Sequence, residues 1–546
     1  MLQVTDFSQI HALIVEDMSA QQTALRGQLT LLGISKVDVA SNADDACRHI
    51  RNRRYGLVLC DFNLNHRTDG QQLFEHLRDQ QLLPEDCLFF MVTAESGYAS
   101  VAAATEHHPD AYLLKPTTAS DIEDRLKMLL EKRQALLPVT SRLARDDLPG
   151  ALAACEPLLA ARSRWTMSVM QIQGKTLLRL GRHEEARQVY QKALDAKADL
   201  VWAQLGLARA HKAAGQYPQA CEVAQGIIQS RHGSKTVAAY DIVAETLELQ
   251  GQSDAALNTL MDAAKVVPSA RRQRILGESA YRHGDLDLAK ECMQKVIKAT
   301  RASVVAQSQD SLMLAQTLVD RGEALEAMKL LQDAAPSFKG DASFAAVSLA
   351  VQAQAESRSG QAEQARQTLE KAREALQECK ANLGTVALAK AELTAGDEAA
   401  GLRLLEEAIA ADHENPRIKQ MIARALQDTG HADKVEQLIR GATAVMEAQV
   451  ADARKLFRDS QIDAAIQAIE DAVHAHPDNT GVLLQAAQLN CMALRLQKRA
   501  DTAMIERVQS YLGRLERLMP GADRVVMMQR YFRETLRALE ATAPTA

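Results

Sequence analysis

The sequence predicts two architectures in succession: a doubly wound parallel α/β sheet in residues 1–133 and an all-α superhelical solenoid in residues 134–521. Short apolar runs alternate with amphipathic segments in the first of these regions. In the second, glycines recur about every 34 residues. Aromatic residues make up only 4% of the chain, as is typical of stacked helices rich in alanine and leucine. Residues 522–546 should form a capping helix and tail.

The predicted strands are apolar runs that are too short to be helices. They cover residues 12–15, 57–60, 88–92 and 112–114. The amphipathic segments between them cover residues 21–32, 43–52 and 71–80. Alternation of this kind indicates βαβ units and a parallel sheet. In such sheets ligands bind beyond the carboxyl ends of the strands.

Five polar residues stand just beyond these runs: Glu16, Asp17, Asp61, Thr93 and Lys115. They should therefore meet at one rim of the sheet. Three crowded carboxylates repel one another unless a hard divalent cation such as Mg²⁺ binds between them. With that charge neutralised, Asp61 can stay ionised and act as a nucleophile toward a phosphoryl group. Thr93 and Lys115 can bind the oxygens on which charge develops. This pattern predicts a phosphoryl-transfer site.

The motifs around these residues resemble a known family. They are LIVED (13–17), LVLCDFNL (57–64), MVTAES (91–96) and YLLKP (112–116). Together, residues 11–133 resemble the CheY-like receiver domain of bacterial two-component response regulators. The resemblance implies a flavodoxin-like fold with a five-stranded parallel sheet.

The resemblance also implies roles for individual residues. Asp61 would be phosphorylated by a sensor histidine kinase or a histidine phosphotransfer protein. Glu16, Asp17 and Asp61 would bind Mg²⁺, together with the backbone carbonyl of Asn63. The Lys115–Pro116 peptide bond would be cis.

Two further pairs of positions match regulatory positions of the family. Thr93 and Tyr112 would be the switch residues, with Tyr112 moving inward when Thr93 is drawn to the phosphoryl group. Asn63 and Glu95 would tune the lifetime of the aspartyl phosphate. Lys115 would bind the phosphoryl oxygens.

The second region contains a repeat with a period near 34 residues. Its glycines are 33 to 38 residues apart: Gly181, Gly215, Gly251, Gly284, Gly322, Gly360, Gly396 and Gly430. A small residue stands seven positions before each glycine, and one stands five positions after all but the last, where Val435 is found. Small residues on both sides of a tight turn let paired helices pack closely and stack on the next pair. The pattern resembles the tetratricopeptide repeat, and implies about ten to eleven helix pairs in residues 134–521.

Tetratricopeptide arrays usually bind a peptide or helix in the groove lined by the first helix of each repeat. By phase, six residues should face that groove: Lys175, Trp202, Arg209, Lys212, Arg274 and Tyr281. Such a groove would suit an acidic segment of an unidentified partner protein. Alternatively, Trp202 packs between repeats and the charged residues only keep a helix face hydrated.

Composition restricts the function classes. The net charge of −6, from 64 basic and 70 acidic residues, offers no global basic field for nucleic acid or an anionic membrane. No apolar run approaches the roughly 18 residues of a membrane helix, and no targeting signal opens the chain, so we expect a cytoplasmic protein. Eight scattered cysteines without a C-x-x-C pair indicate reduced thiols. No catalytic motif occurs in the repeats, so we do not expect an enzyme.

The leading hypothesis is a response regulator whose output is protein binding. A kinase phosphorylates Asp61, and the array then engages or releases a partner. Residues 121–137 run from the predicted last receiver helix into the first repeat without a Gly/Ser linker, which favours rigid coupling. One alternative is a phosphate sink or inhibitor that acts back on the sensor kinase. Another is a transcriptional regulator, although neither a helix-turn-helix signature nor a basic stripe is present.

Overall fold

The computed structural model describes residues 6–64, 68–84, 86–94, 108–231, 233–301, 303, 305–378, 382–411, 416–498, 501–519 and 523–542. Two compact units are distinguished. One lies within Met1–Ser279 and Glu291–Asp310, and the other within Ala280–Lys290 and Ser311–Ala546. The first unit contains the α/β region and the beginning of the helical array. The second contains helices only, among the residues described.

The amino-terminal region is a five-stranded parallel sheet with strand order β2-β1-β3-β4-β5, which confirms the predicted fold class. The strands are β1 (His11–Val15), β2 (Lys36–Ala40), β3 (Leu57–Asp61), β4 (Leu88–Thr93) and β5 (Ala111–Leu114). The helices described beside them are α1 (Ser19–Leu31), α2 (Ala43–Asn52), α3 (Gly70–Asp79) and α4 (Ala119–Ala144).

Each face of the sheet has its own apolar core. Along β1, Leu13 and Val15 pack on one face with residues of α2 and α3, whereas Ala12 and Ile14 pack on the other with residues of α1 and α4. Burial on both faces explains why β3 and β4 are continuous apolar runs. It also leaves the polar residues that follow each strand at the rim.

Helix α4 belongs to two cores. Its first turns bury Ile122 and Leu126 under the sheet, and its later turns bury Leu136 and Val139 against the first helices of the array. The helix continues through Pro138 to Ala144. A single rigid element therefore joins the sheet to the array.

The array consists of antiparallel helix pairs. Those of its first part are α5 (Leu148–Ala160), α6 (Thr166–Arg179), α7 (His183–Ala196), α8 (Val201–Ala213), α9 (Tyr217–Gln229), α10 (Val237–Leu249), α11 (Ser253–Val266), α12 (Ala270–His283) and α13 (Leu286–Thr300). Those that follow are α14 (Ser308–Asp320), α15 (Ala324–Ala334), α16 (Ala342–Arg358), α17 (Ala362–Glu378), α18 (Asn382–Ala395) and α19 (Glu398–Ala411). The last are α20 (Pro416–Asp428), α21 (Val435–Arg458), α22 (Ile462–Ala475), α23 (Thr480–Gln497), α24 (Thr502–Leu518) and α25 (Asp523–Thr542).

The periodic glycines form the turns within pairs. All eight adopt a positive φ, between 70° and 91°, a conformation that favours glycine. The small residues pack where helices cross, as Gly174 and Gly206 show: a Cβ at either position would overlap the Tyr190 ring. Close packing between helices therefore explains why small residues recur in the repeat.

The array ends differently from its middle. α21 runs unbroken for 24 residues, so the second helix of one repeat and the first helix of the next are continuous. In α25, an apolar stripe of Val525, Met528, Phe532 and Leu539 is buried in the last core, and Leu536 packs against it. Among the residues described, no helix is long and apolar enough to span a membrane.

Candidate functional site

Four of the five predicted site residues extend from different strands at one rim. Asp61 is the last residue of β3 and Thr93 the last of β4, while Glu16 and Lys115 directly follow β1 and β5. The parallel register brings their backbones together, with Asp61 beside Val92. The sheet topology alone therefore assembles the site.

Lys115 joins two of the carboxylates. Its Nζ lies 2.9 Å from Glu16 Oε2 and 2.9 Å from Asp61 Oδ2. Glu16 is fully buried, and Asp61 is 7% exposed. The backbone N–H of Met18 donates to Glu16 Oε1 at 3.2 Å. Burial opposes the charge on Lys115, but its bonds to Asp61 and Glu16 raise its pKa overall.

The carboxylates of Glu16, Asp17 and Asp61 offer ligand atoms within 4.8 Å of one another. Burial raises the pKa of Glu16, and the charge of Asp61 adds to this effect, whereas the hydrogen bond from Lys115 opposes it. Asp17 Oδ1 is buried and has no hydrogen-bond partner among the described residues. An acidic set with an unsatisfied buried oxygen fits a hard divalent cation, which takes oxygen ligands.

Three further predicted receiver residues lie within the part of the chain that the structure describes. Thr93 is buried, and its carbonyl accepts a hydrogen bond from the Lys115 N–H at 2.8 Å. Tyr112 is half-buried and packs, with Phe62, against the core shared by α2 and α3. Asn63 is exposed, two residues beyond Asp61. Glu95 lies outside the described residues.

Two backbone features complete the rim. The Lys115–Pro116 peptide bond is cis, as the resemblance implied. Gly70 lies so close to the end of β3 that an added Cβ would overlap the Asp61 carbonyl oxygen. The N–H of Gly70 donates to the Phe62 carbonyl at 2.8 Å. The start of α3 is therefore in direct contact with the Asp61 backbone.

The six predicted groove residues have different surroundings. Lys212 is paired with Glu245, and the Arg274 guanidinium contacts Asp310 at 2.5 and 2.8 Å. Trp202 is half-buried and contacts the Tyr190 ring edge-on, with 6.3 Å between ring centroids. Tyr281, in the second unit, is buried and donates to Asp320 at 2.8 Å.

Lys175 and Arg209 are the exposed cations of that set, and no ion pair involves either within the described residues. They occupy equivalent positions of neighbouring repeats. Surrounding protein atoms lower the pKa of Lys175, although its side chain is accessible to solvent, and Arg209 and Lys132 lower it further. Together with Lys132 on α4, these two cations form a basic region where α4 meets the first part of the array.

Sequence reasoning missed a buried ionic network in the second unit. Lys390 is 2% exposed, and its Nζ contacts Asp320 at 2.7 Å, Asp428 at 2.9 Å and the Tyr281 hydroxyl at 3.1 Å. The Arg424 guanidinium contacts Asp428 at 2.6 Å. A lysine in a helical repeat gives no signal of burial by itself, since its partners lie 38 to 109 residues away.

Comparison with known families matches both regions. Residues 12–127 match the family described as response regulator receiver domain. Residues 177–240 and 346–371 match families described as tetratricopeptide repeat.

Similar individual proteins cover the chain in part. A protein of Cyanidium caldarium described as probable transcriptional regulator ycf27 is 28% identical over 126 residues, which is 23% of this chain and 48% of the relative. The chain thus spans about half the length of that relative. A chemotaxis protein CheY homolog of Campylobacter jejuni strain 81-176 is 28% identical over 119 residues, or 22% of this chain and 90% of the relative. A tetratricopeptide repeat protein from Parabacteroides merdae is 13% identical and covers 54% of this chain and 98% of its own, with a TM-score of 0.32.

Receiver domains and tetratricopeptide repeats are regulatory and interaction modules rather than typical catalytic families. In the first region, the parallel sheet, the acidic rim and the matched family all indicate a receiver domain. In the second region, the glycine turns and the matched families both indicate tetratricopeptide repeats. The chain therefore contains a response regulator receiver domain in its amino-terminal region and tetratricopeptide repeats in the region that follows.

Proposed function

We propose that Asp61 accepts a phosphoryl group from a sensor histidine kinase or a histidine phosphotransfer protein, and that the array converts this modification into protein binding. One observation carries the first part: the Lys115 ammonium lies 2.9 Å from Asp61 Oδ2 inside a cluster of three carboxylates. This arrangement neutralises charge where a phosphoryl group would arrive.

The reaction needs little from the protein beyond positioning. An Asp61 carboxylate oxygen forms a bond to phosphorus while the N–P bond of the donor's phosphohistidine breaks, and the departing imidazole nitrogen keeps the electron pair and takes up a proton. Lys115 and the Thr93 hydroxyl bind the phosphoryl oxygens. Glu16, Asp17, Asp61 and the Asn63 carbonyl would hold Mg²⁺, which supplies charge neutralisation when bound.

Phosphotransfer can be tested directly at Asp61. We expect ³²P from a phosphorylated histidine donor to label the full chain, and Asp61→Asn to abolish the labelling. Asp124→Asn is the matched control, because Asp124 is an exposed receiver aspartate outside the rim. Undiminished labelling of the Asp61→Asn protein would refute the assignment.

The partner surface proposed here is the basic region of Lys132, Lys175 and Arg209. Because Lys212 and Arg274 are engaged in ion pairs, these cations are the ones available to an acidic segment. A fluorescent polyglutamate peptide should bind the full chain in a salt-dependent manner, and Lys175→Glu/Arg209→Glu should weaken this binding at least tenfold. Lys192→Glu, an exposed control on α7, should leave it unchanged. Equal loss in the control would mean non-specific attraction.

The phosphate-sink and transcription hypotheses predict different binding partners. A phosphate sink requires the sensor kinase to be the main species retained by the array, and retention of another protein by both wild type and Asp61→Asn would exclude it. A role in transcription has little support, because the match to the Cyanidium regulator covers only 23% of this chain.

We also propose a cytoplasmic location, where histidine kinases would supply phosphate.

A further inference from the structure

We propose that α3 of the receiver is latched to the array, and that phosphorylation of Asp61 opens this latch. The α3 latch consists of Thr68 and Asp79 on the receiver and Ser303 and Arg271 on the array. All four residues belong to the first compact unit. The inference rests on the proposed phosphorylation of Asp61 and adds the surface through which it acts.

Two polar contacts between described residues define the latch. The hydroxyl groups of Thr68 and Ser303 are hydrogen-bonded, and Thr68 is buried. The Arg271 guanidinium lies 3.3 and 3.4 Å from the two Asp79 carboxylate oxygens. The paired residues are 235 and 192 residues apart in sequence. They thus bind two modules together at both ends of α3.

The side of α3 between these contacts is acidic. Glu75 lies one helical turn before Asp79, and burial raises its pKa. Its hydrogen bond with Gln71 and the charge of Arg271 oppose this rise, whereas Asp69 and Asp79 add to it. Arg271 therefore compensates more than one carboxylate of α3.

The array side of the latch is held in place independently. Arg272, the neighbour of Arg271, is buried and pairs with Asp241 in α10, with one guanidinium contact at 2.9 Å. The backbone N–H of Arg272 also donates a hydrogen bond to Ser269 Oγ at 3.2 Å. Movement at the latch should therefore begin on the receiver side and uncover the latch surface of α12.

The receiver side is coupled to the phosphoacceptor. Asp69 caps α3 by accepting a hydrogen bond from the Gln72 N–H at 2.8 Å, and the next residue, Gly70, contacts the Asp61 carbonyl. A phosphoryl group on Asp61 places negative charge near the amino terminus of α3, which attracts anions. Displacement of α3 toward that charge draws Thr68 and Asp79 away from Ser303 and Arg271.

The contacts are weak enough to open. In the ion pair, the side chains of Arg271 and Asp79 remain 29% and 43% exposed. Exposed pairs contribute little because water competes for both charges. A small displacement of α3 is therefore enough to release the array.

Hydrogen–deuterium exchange of the full chain can test the latch. Adding Mg²⁺ with beryllofluoride, a phosphoryl mimic, should speed exchange at least threefold in peptides covering 70–79 and 270–283. Arg271→Asp should speed it without beryllofluoride, and Asp79→Arg/Arg271→Asp should restore slow exchange. The controls are Asp124→Arg and Arg231→Asp, at exposed positions of the receiver and the array.

The outcomes separate the two proposals. If residues 57–64 gain no protection with beryllofluoride and ³²P does not label Asp61, phosphorylation itself is refuted. If that protection and labelling occur but exchange in 270–283 is unchanged or slower, the latch is refuted while phosphorylation stands. Failure of the charge-swapped double variant to restore slow exchange would also refute the latch.

Discussion

The acidic rim combines three carboxylates with one ammonium, so its charge balance depends on a single residue. Lys115 contacts both Glu16 and Asp61, while Asp17 retains an unsatisfied buried oxygen. The cluster is pre-formed for a cation but strained electrostatically without one. Protons and metal ions should therefore compete for it.

Metal binding at this rim should depend on pH. Because burial raises the pKa of Glu16, this side chain takes up a proton at a higher pH than an ordinary glutamate as acid is added. We expect Mg²⁺ affinity, measured by calorimetry, to fall as the pH is lowered from 7 to 5. Glu16→Gln should bind Mg²⁺ more weakly and with less pH dependence. A wild-type affinity that is flat over this range would contradict the prediction.

Lys390 is the corresponding residue in the second unit, since its ammonium contacts the carboxylates of both Asp320 and Asp428. Lys390→Met leaves Asp320 and Asp428 without their shared cation, so we expect the free energy of unfolding to fall by about 3–5 kcal/mol. Urea denaturation followed by circular dichroism measures this change. The exposed control Lys192→Met should shift it by no more than about 0.5 kcal/mol. Equal stability of the two variants would show that the network contributes little.

At the scale of elements, the stacking of the first repeats depends on close contact between glycine and an aromatic ring. Gly174 and Gly206 leave space for Tyr190, which is 2% exposed. Such a contact tolerates no added volume because protein interiors are close-packed. The small residues are thus required by the neighbouring helix.

Gly206→Ala should destabilise the array by about 1–3 kcal/mol, because its Cβ would overlap the Tyr190 ring. The matched control is Gly226→Ala in α9, where an added Cβ meets nothing within 4 Å. That control should be neutral or stabilising by up to about 1 kcal/mol, since alanine favours helix. Thermal unfolding of both variants distinguishes steric overlap from an effect of helix propensity. Equal destabilisation would assign the effect to helix propensity.

The sequence predicted elements best where one pattern dominated. β3 and β4 could be predicted because each is an almost continuous apolar run. The turns could be predicted because they contain glycines, which adopt a positive φ there. β2 was not singled out, because Lys36 and Asp38 interrupt its apolar residues. It lies at the edge of the sheet, where one side of the strand is open.

The functional residues, too, could be predicted only where one pattern dominated. The receiver residues could be located because sheet topology brings strand ends together. The Lys390 network and the α3 latch could not, because their partners are brought together by the stacking of distant helices. The domain boundaries at residues 133 and 521 remain predictions.

At the scale of the molecule, α4 is the covalent connection between receiver and array. It contributes Ile122 and Leu126 to one core and Leu136 and Val139 to the other. A rigid helix that is shared by two cores transmits rotation as well as displacement. Interrupting it should remove the coupling that runs through α4 without unfolding either module.

Insertion of two glycines between Arg133 and Gln134 tests this coupling. We expect ³²P labelling of Asp61 to persist, because the receiver core remains intact. Beryllofluoride-induced changes in hydrogen exchange within α5 and α6 should disappear, because glycine interrupts the helix. Gln134→Ala, which preserves the helix, should retain them. Persistence of these changes after the insertion would show that α4 does not carry the signal.

The Lys390 network has a consequence for how the second unit melts. Solenoids generally open piecewise, because each repeat touches only its neighbours. Here one ammonium holds side chains from α12, α14 and α20 while belonging to α18. Separate repeats therefore cannot fray independently, and this stretch should lose its structure in a single cooperative step.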